Sequence, residues 1–250
     1  MPSVDASISV LDDGLLRGDG VFEVARVYGG VAYALDEHLE RMARSAAGLR
    51  LPLDAAAFDR DAVALLAGAP GFDGYLRLVA TRGGRRIALL EPAKEQPPSI
   101  ALATVRYAPT RVLDAIKSLS YGANMLVTRL AQEQGADEAL LVTPHGRVLE
   151  GSRQSFVCSL DGETLVTPPL TDHVLDSITR RRVVETGLVT ERPISADELP
   201  FATEAFLAST MREVHPVHAI DGVRLPAAPG PLTTTVAARV RAVIAAAVAA

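Results

Sequence analysis

Two lysines, Lys94 and Lys117, stand against 23 arginines in this chain of 250 residues. A lysine amine that has lost its proton can condense with a carbonyl to form a Schiff base, and desolvation is what lowers the cost of losing that proton. Lys94 lies in Glu91-Pro92-Ala93-Lys94-Glu95-Gln96-Pro97-Pro98, a proline-flanked, acidic stretch that reads as a solvated loop. Lys117 follows the apolar run Val112-Leu113-Asp114-Ala115-Ile116 and precedes Ser118-Leu119-Ser120-Tyr121-Gly122. An ammonium there is expected to be paired, desolvated or chemically converted. The plainer reading is a stem lying along a surface with its head in water.

Four further segments carry groups that a phosphorylated aldehyde cofactor would need. Glu150, in Gly146-Arg147-Val148-Leu149-Glu150-Gly151-Ser152, ends an apolar strand-like run before small residues that admit a ligand to the backbone. A carboxylate beside a pyridine nitrogen keeps that nitrogen protonated and makes the ring an electron sink. Leu175-Asp176-Ser177-Ile178-Thr179-Arg180 opens a helix, whose N-terminal amides and partial positive charge suit a phosphate. Phe206-Leu207-Ala208-Ser209-Thr210 ends a strand with two hydroxyls. His38-Leu39-Glu40-Arg41 places Arg41 on an amphipathic helix, where its guanidinium could clamp the same phosphate. Taken singly, each segment has a structural alternative: a turn carboxylate, a helix cap, an ST-turn or a solvated arginine.

Composition narrows the field. Hydrophobic content of 48% and charged content of 22% describe a globular chain, and a net charge of −5 with dispersed arginines gives little support to nucleic-acid binding. The single cysteine, Cys158, cannot form an internal disulfide and suits a reducing cytoplasm. The segment Met1-Pro2-Ser3-Val4-Asp5 has no basic or apolar signal-peptide region. The stretch Val236 to Ala250, interrupted by Arg239 and Arg241, is expected to be a terminal helix too short to span a bilayer. His-Glu-x-x-His, paired Cys/His, Walker and Gly-x-Ser-x-Gly patterns are all absent from the sequence, so no metal is expected. Gly18-Asp19-Gly20 precedes an apolar strand instead of opening a helix after one, which argues against a dinucleotide fingerprint.

The elements that must position these groups can be read from periodicity. Strands are expected over 20–28, 75–81, 100–107, 139–142, 155–160 and 205–209, each apolar or β-branched and bounded by Gly, Pro or Asp. Helices are expected over 35–49, 54–67, 124–134, 178–186 and 233–249. Mixed strands and helices without a βαβ repeat favour an α+β fold. The proline-centred segment 107–112 is the candidate linker between an N-terminal domain, 1–106, and a C-terminal domain, 113–250.

In this order, the strings Gly18-Asp19-Gly20-Val21-Phe22-Glu23, Glu37-His38-Leu39-Glu40-Arg41, Lys117-Ser118-Leu119, Gly135-Ala136-Asp137-Glu138-Ala139, Glu150-Gly151-Ser152, Thr167-Pro168-Pro169-Leu170 and Ile178-Thr179-Arg180 resemble the class IV aminotransferases. That family is the fold-type IV pyridoxal-phosphate group, which includes branched-chain and D-amino acid aminotransferases and aminodeoxychorismate lyase. The resemblance covers nearly the whole chain. It implies a two-lobed α+β fold, with a smaller N-terminal α/β lobe and a larger C-terminal lobe with a β-barrel-like core. It implies that Lys117 forms the Schiff base with pyridoxal 5'-phosphate and shuttles a proton, and that Glu150 holds the pyridine nitrogen. Arg41, Ile178, Thr179, Ser209 and Thr210 would then bind the phosphate, and Leu175 would pack against the ring. Phe22, Arg26, Tyr75 and Arg77 match positions that line the substrate side in parts of the family.

The implied reaction is transfer of an amino group between an amino acid or primary amine and a 2-oxo acid, in a cytoplasmic homodimer. The alternative is an aminodeoxychorismate lyase releasing pyruvate and 4-aminobenzoate. Lyase members carry hydroxyl residues just after the Gly-Asp-Gly-x-Phe string, whereas this chain has Glu23-Val24-Ala25, which favours amino transfer. Other departures are Ser155 where the family commonly has asparagine, Gly122 where branched-chain enzymes have tyrosine, and a Thr81-Arg82-Gly83-Gly84-Arg85-Arg86 turn without the histidine of D-selective members. The chain also begins without the first strand common in the family, so one wall of the cleft is expected from a neighbouring subunit. Stereochemical preference and amino donor stay open at this stage.

Overall fold

A computed structural model describes residues 6–249, so the Met1–Asp5 segment read above for a targeting signal lies outside the described residues. The chain divides into two compact units, one made of Met1–Glu95, Ala115–Tyr121 and Ala246–Ala250, the other of Gln96–Asp114 and Gly122–Ala245. The expected boundary at 107–112 would group Lys117 with the C-terminal residues. In the structure its short segment returns to the first unit.

The first unit contains α1 (Asp13–Arg17), β1 (Gly20–Tyr28), β2 (Val31–Ala32), α2 (Leu35–Gly48), α3 (Ala55–Ala67), β3 (Gly74–Thr81) and β4 (Arg86–Pro92). Its four-stranded sheet runs β2-β1-β3-β4, all antiparallel. Inward residues of β1 and β3, including Val21, Ala25, Val27, Leu76 and Leu78, pack with Leu39, Met42 and Ala46 of α2 and Phe58 and Ala62 of α3. Because side chains alternate along a strand, Phe22, Val24 and Arg26 fall on the other sheet face, with Tyr75, Arg77 and Val79.

The second unit contains β5 (Ile100–Arg106), α4 (Gly122–Glu133), β6 (Glu138–Val142), β7 (Val148–Gly151), β8 (Ser155–Ser159), β9 (Leu165–Thr167), α5 (Ile178–Glu185), β10 (Val189–Glu191), β11 (Glu204–Ser209), β12 (Glu213–Ile220), β13 (Val223–Arg224) and most of α6 (Pro231–Ala249). The strand order is β10-β9-β8-β11-β12-β5-β6-β7, with β13 on β12. Ile100, Leu102, Leu140, Val142, Val148, Phe156, Cys158, Val166, Leu207 and Val217 form a single buried cluster. A flat sheet cannot bring inward residues from so many strands together, so this sheet curls around them as the β-barrel-like core the resemblance implies. Cys158 is a packing residue there, and burial pushes its thiol up to about 12.

Every strand and helix expected above is present, with ends displaced by two residues at most. The strand-like run before Glu150 is β7, and the unanticipated elements are α1, β2, β4, β9, β10, β12 and β13. Most are short, β4 ends on Pro92, and β12 contains Pro216 and two histidines, features that hide a strand from pattern reading. The helix α6 also starts earlier than expected. At 19 residues it is the one described helix long and apolar enough to cross a membrane, which corrects the expectation that it is too short. One stripe, Thr233, Val236, Val240 and Ile244, is nevertheless buried. Arg239 donates to the Thr186 carbonyl and Arg241 pairs with Glu213, so in this structure the helix docks on protein.

Leu207 is fully buried in the curled-sheet core. Leu207→Ala is expected to cost about 2–5 kcal/mol by urea unfolding, whereas Val243→Ala, at a half-exposed position on α6, should stay within about 0.5 kcal/mol.

Candidate active site

In the first unit the site starts from one charged residue in an apolar strand. Glu23 has no solvent exposure and points to the α2 side of β1. There Arg41 grips it with two hydrogen bonds, Nε to Oε1 and Nη2 to Oε2, each 2.7 Å, and His38 Nδ1 lies 2.7 Å from Oε2. His38, Arg41 and Ser45 share one helix face by their spacing, and all three are buried. Burial by itself would raise the Glu23 carboxyl, but the hydrogen bond and charge of Arg41, followed by those of His38, outweigh it and bring the group from 4.5 to about 2. Burial lowers His38 from 6.5 against the pull of Glu23. A neutral imidazole facing an ionised carboxylate must place its proton on Nδ1.

Lys117 is held against this arrangement by its backbone. Its amide donates to Ser45 Oγ at 3.1 Å, its carbonyl accepts from the Phe22 amide at 3.2 Å, and the Leu119 amide donates to the Gly20 carbonyl at 2.8 Å. The segment thus lies along the free edge of β1. Gly20 permits this approach: a Cβ there would lie 2.4 Å from the Ala80 carbonyl and 2.6 Å from Leu119 Cδ1. The Lys117 side chain is half-buried, with Nζ 4.2 Å from the Phe22 ring centroid and 6.0 Å from that of Tyr121. The preceding apolar run does not bury it, since Val112 is 80% exposed in a short 3-10 turn. The aromatic pair, Phe22 edge-on to Tyr121 at 5.2 Å, supplies the apolar contact instead.

Phe22, Arg26, Tyr75 and Arg77, expected on the substrate side, share the sheet face on which the Lys117 amine meets the Phe22 ring. Arg26 is largely committed. Its Nη1 donates to the carbonyls of Val27 and Gly74, its Nη2 to Asp73, and its guanidinium lies over the rings of Tyr28 and Tyr75. Arg77 is bound bidentately by Glu91, at 3.0 and 2.9 Å.

The remaining expected residues lie in the second unit. Between β6 and β7 the register pairs Leu140 with Gly151 and Val142 with Val148, so β7 carries an extra residue. Such a bulge re-aims side chains. In regular alternation Glu150 would follow Val148 into the core, but Gly151 takes that register position. Glu150 is half-buried and accepts from the Leu175 amide at 3.2 Å. Tyr107 is close enough for burial, followed by the Glu150 charge, to raise its hydroxyl. At α5, Ser177 caps the helix by accepting from the Arg180 amide at 3.3 Å. The first-turn amides of Ile178 and Thr179 have no acceptor within a helix, and both residues are buried. The helix packs against β11, which ends on Ser209, a buried hydroxyl with no hydrogen-bond partner, beside half-buried Thr210. Ser155 Oγ is also buried without a partner.

A second buried carboxylate, Glu138, lies in one of the strings that carry the resemblance but has no role assigned to it by sequence. It accepts from Thr128 Oγ1, Ser152 Oγ and the Ala139 amide on Oε1, and from Arg153 and Gln154 on Oε2. Burial would raise its pKa, but the hydrogen bonds from Ser152, Thr128 and Ala139 and the Arg153 charge leave it lowered. Three of these donors lie in the turn directly after Glu150, so Glu138 fixes where β7 ends. Its sequence signal is weak, an acidic residue opening a strand that is buried throughout.

The first unit carries the lysine amine and the buried Arg41 guanidinium, and the second carries the half-buried Glu150 carboxylate with amide and hydroxyl donors. The orphan hydroxyl of Ser209, at the end of the strand on which α5 packs, is what an oxyanion-bearing group such as a phosphate would satisfy. Among the described residues, no group of three or more His, Cys, Asp or Glu could hold a metal ion. Glu23→Gln should destabilise the fold by about 3–5 kcal/mol at neutral pH, because Arg41 would stay buried without its counter-charge. A carboxyl held below its ordinary value contributes fully above pH 4.5 and loses that contribution as pH falls toward 2. Denaturant titrations from pH 7 to 2 should therefore show a steep acid loss in the wild type that is shallower in the variant.

The model of the amino-transferase class IV family matches residues 20–220. A putative branched-chain-amino-acid aminotransferase of Methanocaldococcus jannaschii is 36% identical over 87% of this chain and 84% of its own length. The D-alanine aminotransferase of Bacillus licheniformis is 34% identical over 94% of this chain and 91% of its own. Among solved structures, a hypothetical aminotransferase from Mycobacterium tuberculosis in its PLP-bound form superposes with a TM-score of 0.86 at 28% identity, covering 98% of this chain and 95% of that one. With a match spanning the buried carboxylates, the edge-bound lysine and the helix that opens at Ile178, this chain belongs to the class IV aminotransferases.

Proposed function

We propose that the chain is a pyridoxal 5'-phosphate-dependent aminotransferase that moves an amino group between an amino acid or primary amine and a 2-oxo acid. The carrying observation is the lysine amine stitched to the edge of β1 and lying 4.2 Å from the Phe22 ring centroid, in a chain that belongs to this family. When bound, the cofactor would supply an aldehyde for covalent attachment and a ring that accepts electrons.

Lys117 is the residue that would attach to it and carry the proton to and from the substrate carbon. Arg41, oriented by Glu23, would join the Ile178 amide, Thr179, Ser209 and Thr210 as phosphate ligands. Glu150, aimed by the β7 bulge and steadied by the Leu175 amide, would hold the ring nitrogen protonated, and Leu175 would pack on the ring. Phe22, Tyr75, Arg26 and Arg77 would bound the substrate. The same reading proposes a cytoplasmic homodimer with a small-molecule amino donor and a 2-oxo acid as its partners. Amino transfer is preferred to the lyase reaction because both curated relatives described above carry aminotransferase names and Glu23, Val24 and Ala25 bring no hydroxyl to β1.

Borohydride reduction of the cofactor-loaded protein, followed by peptide mapping, should place the label on Lys117, and a label at any other residue would overturn the assignment. Lys117→Ala should lower amino transfer by roughly 10³-fold or more, with fold retained by circular dichroism. A panel of D- and L-amino acids and (R)-amines, followed spectrally for conversion of the cofactor to its amino form, defines the donor class. Pyruvate and 4-aminobenzoate released from aminodeoxychorismate, without amino transfer from any donor, would instead establish the lyase.

A further inference from the structure

We propose that Glu91 is a specificity-determining residue: by occupying the guanidinium of Arg77 it keeps that cation from receiving a second carboxylate of the substrate. Monocarboxylic partners are thereby favoured over dicarboxylic ones. The inference rests on the amino-transfer reading and names the substrate class for it.

The geometry lies entirely within the four-stranded sheet. Arg77 and Phe22 are on the same sheet face, and the Arg77 Cζ is 5.9 Å from the Phe22 ring centroid, the ring that lies 4.2 Å from Lys117 Nζ. The two cations thus flank one aromatic ring. A substrate whose reacting carbon sits at the lysine would present its distal end near Arg77, and an arginine fork is suited to bidentate capture of a carboxylate. The Nε–Nη2 edge of that fork is already taken. Glu91 stands opposite Tyr75 on β4, one diagonal step from Arg77, with both carboxylate oxygens engaged. Arg26, the other guanidinium on this face, spends its donors on two main-chain carbonyls as well as Asp73, so no single side chain could release it.

The strength of the pair fits a selector more than a structural clamp. The side chains of Arg77 and Glu91 are 29% and 33% exposed, and ion pairs with that much solvent access add little to stability. As an intramolecular ligand, however, Glu91 competes at a high effective concentration. A free diacid must displace a carboxylate of equal charge to gain the same two hydrogen bonds, so the exchange returns almost nothing.

The test uses cofactor-loaded wild type, Glu91→Ala and the Glu91→Ala/Arg77→Ala double variant, with glutarate as a non-reacting diacid and butyrate as its monocarboxylic control. The expected result is glutarate binding tightened by roughly tenfold in Glu91→Ala, butyrate binding little changed, and the gain erased in the double variant. The ratio of kcat/KM for 2-oxoglutarate over pyruvate should rise by a similar factor. Glutarate bound no more tightly by a Glu91→Ala protein that melts like the wild type would overturn the inference, as would a gain that survives loss of Arg77. A wild type that transfers no amino group to any acceptor would sink the amino-transfer reading, while the glutarate measurement would still decide the role of Glu91.

Discussion

A carboxylate in the middle of a buried strand stays ionised only when its surroundings replace the water it has lost. Glu23 meets that condition through Arg41 and His38, two residues of one helix face. Because each partner would be costly to leave alone, this cluster fixes the spacing and rotation of α2 against β1. The same helix face, one turn on, carries Ser45, whose hydroxyl accepts from the Lys117 amide, and the same strand supplies the Phe22 amide that donates to the Lys117 carbonyl. The lysine is therefore located by a helix and a strand whose relative position a buried ion pair determines. Without the pair, the edge segment would lose the joint docking that holds the amine over the Phe22 ring.

The second unit handles its carboxylates in a comparable way. Glu138 is wholly enclosed and collects donors from the turn that follows β7. The β7 bulge then sends Glu150 out of the core, where the Leu175 amide meets it. One carboxylate is enclosed and holds the turn; the other is half-buried and available for chemistry. The division follows from burial, since a fully enclosed anion with satisfied hydrogen bonds has little freedom to act. The family relationship is to aminotransferases, and the proposed chemistry at Lys117 rests on that relationship together with this arrangement.

On the open face of the four-stranded sheet, charge is largely cancelled locally. Arg26 is matched by Asp73 and by main-chain carbonyls, and Arg77 by Glu91. The cation of Lys117 thus faces an aromatic surface whose guanidinium groups are already paired. Under the proposed role of Glu91, such a surface would discriminate by which pairings a ligand can improve upon, a different basis for selection from a bare positive patch.

Much of the plan could be read before any coordinates. Strand and helix periodicities located the five long helices and six of the strands but not β4 or β12, whose prolines and polar residues break the pattern; the scarcity of lysine set Lys117 apart, and the Ser177-Ile178-Thr179 helix opening marked a set of amides suited to an anion. Glu23 and Glu138 were harder to read because an acidic residue within a strand looks the same in sequence whether it faces water or a buried arginine. The contact between Arg41 and Glu23 spans 18 positions, and the one between Arg77 and Glu91 depends on the β3–β4 register. Local sequence thus determined which segments become strands and helices and which side chains are chemically able, because periodicity and residue type act over a few neighbours. Tertiary structure alone decided which carboxylate is buried and paired, which is re-aimed by a bulge, and which arginine is already taken, because desolvation and ion pairing depend on groups brought together from distant parts of the chain.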